Sequence, residues 1–234
     1  MLSRRSFCGC LAGFALTATA AQAQLMDACT VVTAEAQKAT TPAMALAALR
    51  AGNDRVLAGK TSNCDLVAQA KATAKGQNPF AAVLGCIDSR VAPELVFDQD
   101  IGDIFAARVA GNIANVDIIG SLEYATKVAG SRAIVVLGHS GCGAIKAAID
   151  QVKLGNITAL LKNIDPALKA VGKVSGGNGS KNPELVQKVA EANVRLTAEG
   201  VVKRSKLIRA LVNAGEVKVV GAMHDVATGR VTWL

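Results

Sequence analysis

A histidine and a cysteine lie three residues apart in residues 135–146, VVLGHSGCGAIK, where an aliphatic run meets a glycine-rich turn. This arrangement is also typical of a phosphate-binding loop, which places Lys and then Ser or Thr directly after its last glycine. Here Ala144 and Ile145 occupy those two positions, and the three-glycine dinucleotide-binding pattern is incomplete as well. The spacing of His139 and Cys142 therefore favours metal binding over phosphate binding.

Cys86 is a second cysteine that we expect to lie close to His139 and Cys142. Cys86 ends another aliphatic run, AAVLGC, just as His139 ends the first. Groups at the carboxyl ends of neighbouring parallel strands share one crevice, so we expect Cys86 and His139 to meet there, with Cys142 joining across one turn. Two cysteines and a histidine suit Zn²⁺ and leave a fourth position open for water or substrate, as in catalytic zinc sites. A core histidine with two buried thiols would not explain this convergence. Four cysteines in an exported domain could also form two disulfides, which is the alternative to a metal site.

Two charged residues follow Cys86 at alternate positions. If the backbone stays extended beyond the strand, Asp88 and Arg90 point to the same side as Cys86. Asp88 is then either a fourth metal ligand or an acceptor for the proton of metal-bound hydroxide. The planar guanidinium of Arg90 can hold that carboxylate through two hydrogen bonds and keep it ionised.

The combination of Cys86-x-Asp88-x-Arg90 with His139-x-x-Cys142 resembles the signature of the β-class carbonic anhydrases. The similarity continues through GQNPF, FDQDIGDIFAARVAGN, GSLEYA and the closing VKVVGAMHDVATGRV. By this resemblance the three ligands hold one Zn²⁺ per chain, and Asp88 and Arg90 form the catalytic dyad. The implied activity is that of a lyase, the reversible hydration of carbon dioxide to bicarbonate and a proton by attack of zinc-bound hydroxide.

The resemblance also assigns a substrate pocket to Gln77, Phe105, Tyr124 and Gly143, partly from across a subunit interface. The resemblance therefore implies that the chain assembles as a homodimer or homotetramer. Considered alone, Phe105 and Tyr124 would be core residues and Gln77 a loop amide.

Two other functions remain open from the sequence. The same scaffold could hydrolyse carbonyl sulfide or carbon disulfide, or the chain could be a zinc-binding regulatory protein without catalysis. The presence of Asp88, Arg90 and Gln77 argues against the regulatory protein, whereas nothing in the sequence excludes the sulfur substrates.

The elements that must position these residues follow from the aliphatic composition. Apolar residues make up 51% of the 234 residues, with one Trp and one Tyr, which suits a parallel sheet covered by helices. Aliphatic runs at 79–86, 103–110, 132–139 and 216–223 predict strands that alternate with helices, and 230–234 predicts an antiparallel edge strand. We expect an α/β fold with a mostly parallel central sheet, an antiparallel edge strand and flanking helices.

Capping signals predict where the helices lie. Thr41 and the proline after it predict a helix start, and Gly52 predicts its end. A second helix is expected over residues 63–75, and the Gly- and Ser-rich residues 172–183 predict a mobile loop. His224 lies on the closing hairpin, where we expect it at the surface.

The first 23 residues carry an arginine pair, an apolar stretch and a small-x-small end, which is typical of a cleavable signal peptide. The arginine pair resembles a twin-arginine signal, so we expect export to the periplasm, no stable membrane anchor and a single domain over residues 24–234. The formal charge of +8 falls to +6 without the signal's two arginines, and the remaining basic residues are scattered. No nucleic-acid partner is therefore expected.

The remaining cysteines raise one open question. Cys8 and Cys10 would leave with the signal, whereas Cys29 and Cys64 would remain. An oxidising compartment would permit a bridge between them. Sequence separation does not determine whether their Cα atoms come close enough.

Overall fold

The computed structural model describes residues 29–234, so the predicted signal peptide, with Cys8 and Cys10, lies outside the described residues. Five strands form one sheet in the order β2-β1-β3-β4-β5. The strands are β1 (Ala81–Gly85), β2 (Ile104–Arg108), β3 (Ala133–His139), β4 (Lys218–His224) and β5 (Val231–Trp233). All neighbouring pairs are parallel except β4 and β5. The predicted α/β fold with an antiparallel edge strand is confirmed.

Helices and short turns connect the strands. The α-helices are α1 (Ala34–Ala39), α2 (Pro42–Leu57), α3 (Leu66–Thr73), α4 (Pro93–Val96), α5 (Val116–Glu123), α6 (Gly143–Ile149), α7 (Ile157–Leu161), α8 (Asp165–Val171), α9 (Pro183–Arg204) and α10 (Lys206–Asn213). Narrow 3₁₀ turns occur at Ala110–Asn112 and Lys162–Ile164, and a wider π turn, Tyr124–Val128, continues α5. No helix in the described part of the chain is long and apolar enough to cross a membrane.

Both faces of the sheet are covered by apolar side chains. Successive residues of a strand point to opposite faces, so an unbroken aliphatic strand supplies both layers. Leu84 and Val136 pack into one layer with α9, whereas Val83 and Leu137 pack into the other with α2. The two central strands β1 and β3 are buried along their whole length, and Cys86 and His139 lie at their carboxyl ends.

The first long helix does not end at Gly52 as predicted. Helix α2 continues to Leu57, and Gly52 lies inside it. A Cβ atom at Gly52 would lie 1.7 Å from the carbonyl oxygen of Phe97, so this glycine allows a close approach of two backbones. The next helix is shorter than expected, because the side chain of Asp65 caps its first turn by accepting from the N–H groups of Val67 and Ala68.

Cys29 and Cys64 form a disulfide, with their Cα atoms 5.2 Å apart. The bridge joins the start of the described chain to the segment before α3. On the chain-entropy account, closing this loop contributes roughly 3 to 4 kcal/mol. The Asp100 carboxylate accepts a hydrogen bond from the N–H of Cys29 at 2.9 Å. The segment before β2 therefore also contacts the disulfide.

Candidate metal centre

Cys86 follows directly after β1 and is buried, with 4% of its surface exposed. Its sulfur accepts a hydrogen bond from the N–H of Gly111 at 3.4 Å. The thiol therefore faces the turn that follows β2, at the carboxyl end of the sheet.

His139 is the last residue of β3 and is 1% exposed. Its Nδ1 lies 3.1 Å from the carbonyl oxygen of Ser140, which can only accept, so Nδ1 carries the proton. Nε2 then presents a lone pair, and this buried atom has no hydrogen-bond partner among the described residues. A buried, unpaired imidazole nitrogen is costly unless something else binds it.

Cys142 completes the group from the residue before α6. It is 1% exposed, and the ligand atoms of Cys86, His139 and Cys142 all lie within 4.8 Å of one another. A hydrogen bond from Cys142 lowers the pKa of Cys86, and the same interaction together with burial raises the pKa of Cys142. Without a cation the pair thus favours a single thiolate, because two buried negative charges repel each other.

Asp88 and Arg90 form the predicted pair, although the backbone between Cys86 and Arg90 is not extended. The chain turns here, with the N–H of Val91 donating to the carbonyl of Asp88. Nε and Nη2 of Arg90 donate to Oδ1 and Oδ2 of Asp88 at 2.9 and 2.8 Å. These hydrogen bonds hold the pKa of Asp88 well below its usual range. Oδ2 of Asp88 lies 3.9 Å from Nε2 of His139, so the carboxylate lies beside the ligand group.

Arg108 is a site residue that the sequence analysis missed. At the end of β2, its guanidinium donates to the carbonyl oxygens of Cys86 at 2.9 Å and Asp88 at 2.6 Å. It therefore fixes the turn that carries a thiol ligand and the carboxylate. The strand-end rule that grouped Cys86 with His139 applies equally to Arg108, so that rule could have found it.

His224 is buried rather than at the surface, with 6% exposed. It ends β4, which lies between β3 and β5, and it pairs in register with His139. Burial is the main cause that lowers the pKa of His224. The surface prediction was wrong because β4 is not an edge strand: it lies between β3 and β5 in the sheet.

Of the residues assigned to the substrate pocket, Gly143 directly follows the ligand Cys142, whereas the other three line cavities that no predicted ligand lines. The rings of Phe105 and Tyr124 meet edge to face with centroids 6.2 Å apart, in an open cavity of about 670 Å³. Gln77 is exposed and lines a separate cavity of about 460 Å³. Gly143 is the exposed first residue of α6. None of the three predicted ligands lines either cavity.

The ligand group fits a zinc ion. Two thiols and a bare imidazole nitrogen are the donors that Zn²⁺ prefers, and a divalent charge would permit both sulfurs to ionise. The unpaired Nε2 of His139 supports the fit, because a bound metal would satisfy it. The other close group, Cys29, Cys64 and Asp100, does not offer free thiols, because its cysteines are bridged.

Comparison with known proteins identifies the family. The carbonic anhydrase family model matches residues 81–231. Carbonic anhydrase 2 of Mycobacterium tuberculosis is 33% identical over 197 residues, 82% of this chain and 92% of that protein. The carbonic anhydrase of Mycolicibacterium smegmatis is 34% identical over 196 residues, 81% of this chain and 92% of that protein.

A solved structure agrees with these sequence matches. One of two tetrameric β-carbonic anhydrases from Sordaria macrospora is similar with a TM-score of 0.62 at 25% identity, over 70% of this chain and 84% of that chain. The family match, the identity to named enzymes over most of the chain and the shared fold lead to one conclusion: this chain belongs to the β-carbonic anhydrase family of enzymes.

Proposed function

We propose that this enzyme carries out the zinc-dependent, reversible hydration of carbon dioxide to bicarbonate and a proton. The observation that carries the proposal is the buried group of Cys86, His139 and Cys142, with a bare imidazole nitrogen beside an ionised carboxylate. Zinc held by these three residues would act as a Lewis acid that makes water a competent nucleophile near neutral pH.

Asp88 and Arg90 orient the attacking oxygen in this proposal. Asp88 stays ionised because two guanidinium N–H groups and the N–H of Arg90 donate to it. An ionised carboxylate can accept only, so it accepts a hydrogen bond from the attacking oxygen and orients the oxygen lone pair towards carbon dioxide. Arg108 holds the backbone of the same turn and so keeps the carboxylate in place.

The substrate pocket is proposed to form between two copies of the chain. Within one chain Gln77, Phe105 and Tyr124 line no cavity that a predicted ligand lines. Strand β2 is an edge of the sheet with one side unpaired, and exposed apolar residues lie next to it, with Val116 74% and Tyr124 55% exposed. A second copy at this edge would bring its Phe105 and Tyr124 towards the partner's metal site. The tetrameric Sordaria structure supports an assembly of two or four chains.

The cellular setting is part of the proposal. The sequence of residues 1–23 supports a cleavable, twin-arginine-like signal in a bacterial protein, with residues 24–234 forming one exported domain in the periplasm. The Cys29–Cys64 disulfide supports an oxidising location. Proteolytic mapping of the mature N-terminus after fractionation of expressing cells would test it.

The test of the activity is the Asp88→Asn variant. An amide lacks the negative charge and has an NH₂ group that can only donate, so it orients the attacking oxygen poorly; we expect carbon dioxide hydration, followed by stopped-flow pH change, to fall by roughly 10²- to 10³-fold, the usual effect of losing one oriented active-site hydrogen bond. Zinc content by elemental analysis should stay at one per chain, because Asp88 is not one of the three ligands. Asp54→Asn, at an exposed position on α2, is the matched control and should keep full activity.

Two results would contradict the proposal. Near-normal hydration by Asp88→Asn would remove the proposed role of the carboxylate. Absence of hydration in the zinc-loaded parent, with hydrolysis of carbonyl sulfide instead, would assign the site to a different substrate.

A further inference from the structure

The thiol of Cys86 receives a backbone hydrogen bond whose donor is held by a distant helix. The N–H of Gly111 donates to Cys86 Sγ at 3.4 Å in a buried position. On the other side of the same residue, the carbonyl of Gly111 accepts from Nδ2 of Asn193 at 2.8 Å, also buried. We propose that Asn193 is a positioning residue for the metal centre, holding the Gly111 amide against the Cys86 sulfur.

The turn at Gly111 has little freedom of its own. Gly111 has φ of 72°, a conformation that favours glycine. A Cβ atom there would lie 3.0 Å from Ile164 Cδ1 and 3.3 Å from the Cβ of Ala144. The turn is therefore enclosed by its neighbours, and Asn193 fixes the direction in which its peptide groups point.

Asn193 is a buried polar residue among apolar neighbours on α9. It is 2% exposed, and Val189 and Val194 beside it are fully buried in the apolar layer. A buried amide without a partner is destabilising, so its hydrogen bond to Gly111 is the reason it is tolerated here. An aliphatic residue would fill the layer but leave the Gly111 carbonyl without this donor.

The position of Asn193 is set by the contact between α9 and the sheet. A Cβ atom at Gly138 would lie 2.4 Å from Val194 Cγ2, and one at Gly221 would lie 2.7 Å from Val194 Cγ1. Val194 thus sits directly over two glycines of neighbouring strands, one of which precedes His139. This close contact holds Asn193 at a fixed height above the strand ends.

A hydrogen bond to a metal-bound thiolate reduces the electron density that the sulfur donates to the metal and orients its lone pair. This inference rests on the proposed metal site. Its consequence is that α9, a helix without a ligand of its own, influences both the affinity and the electronic state of the metal.

Cobalt(II) substitution provides a readout other than activity. The sulfur-to-cobalt charge-transfer band reports how electron-rich the thiolates are. In Asn193→Ala we expect this band to move to lower energy, because the sulfur loses or weakens its hydrogen bond. We also expect zinc affinity, measured by competition with a chelator, to fall by roughly 10- to 100-fold, because the loss of ligand orientation outweighs the stronger electron donation of the free thiolate.

Thr197→Ala is the matched control, because Thr197 lies one turn along the same helix and lines the same cleft as Asn193. Its charge-transfer band should equal that of the parent. An unchanged band in Asn193→Ala, or an equal shift in Thr197→Ala, overturns the inference. If Asn193→Ala does not fold, Asn193→Asp is the second variant, because it keeps the side-chain volume but replaces the donor. The same shift of the charge-transfer band is expected for it, and an unchanged band overturns the inference. A parent protein that binds no cobalt would instead refute the metal site itself.

Discussion

Asp103 makes the stability of this fold depend on pH. It precedes β2, is 9% exposed, and its Oδ1 is buried without a hydrogen-bond partner among the described residues. Its Oδ2 accepts only from the N–H of Asp100, at 3.0 Å. Burial is the main cause that raises the pKa of Asp103 to about 6, and the charge of Asp100 adds to it.

The size and sign of the effect follow from linkage. The unfolded carboxyl loses its proton near its ordinary pKa of 3.8, whereas the folded one keeps it to about 6. Between these values the folded state binds more protons, so the free energy of unfolding falls as pH rises through this window. A difference of about 2 pKa units corresponds to about 3 kcal/mol, lost by about pH 6.

The Asp103→Asn variant should remove this loss, because its amide is neutral at every pH and still accepts from Asp100. Urea unfolding at about pH 4 and about pH 8 gives the stability difference between variant and parent at each pH. That difference should favour the variant by roughly 2 to 3 kcal/mol more at the higher pH, because the unfolded carboxyl is already partly ionised at about pH 4. Any effect of the substitution on packing is present at both pH values, and titration of the metal ligands is present in both proteins. Neither therefore contributes to this comparison. Parallel profiles for variant and parent would refute the reasoning, and Asp54→Asn should show no such change.

Two further predictions concern packing and assembly. Gly52→Ala places a methyl group against the Phe97 carbonyl and should lower the free energy of unfolding by roughly 3 kcal/mol or more; Gly120→Ala, with open space at its Cβ, should not lower it. Val116→Glu puts a charge beside the open edge of the sheet, so sedimentation analysis should show monomers, and these should be inactive. Leu154→Glu, at another exposed position, is the control and should leave the assembly intact. An active dimer of Val116→Glu, or dissociation of Leu154→Glu, would contradict the proposed interface.

The strands and the ligand group could be predicted because each depends on a pattern visible in the chain. Aliphatic runs mark strands buried on both faces, and residues directly after such runs converge at one edge of the sheet. Cys86, His139 and Cys142 follow that rule. Their convergence needs no detail of side-chain packing, so the sequence sufficed.

Other features depend on what lies opposite in space. Gly52 has the residue type of a helix end, yet it serves a backbone contact with Phe97, which is distant in sequence. His224 is buried by a strand that follows it. Arg108 binds backbone carbonyls, which every residue has, so no partner residue type indicates its role. For Gly52 the determining neighbour leaves no trace in the local sequence, whereas the place of Arg108 at a strand end was visible and only its partners were not.

The described chain contains one cysteine pair that is joined and another that must stay apart. Cys29 and Cys64 are bridged, whereas Cys86 and Cys142 are free, buried and close together. Thiolates exchange with disulfides, so a bridge formed early can move to any sulfur within reach. A bridge that captured Cys86 or Cys142 would remove a metal ligand. If the chain binds zinc as proposed, we expect metal capture before oxidation to protect the inner pair.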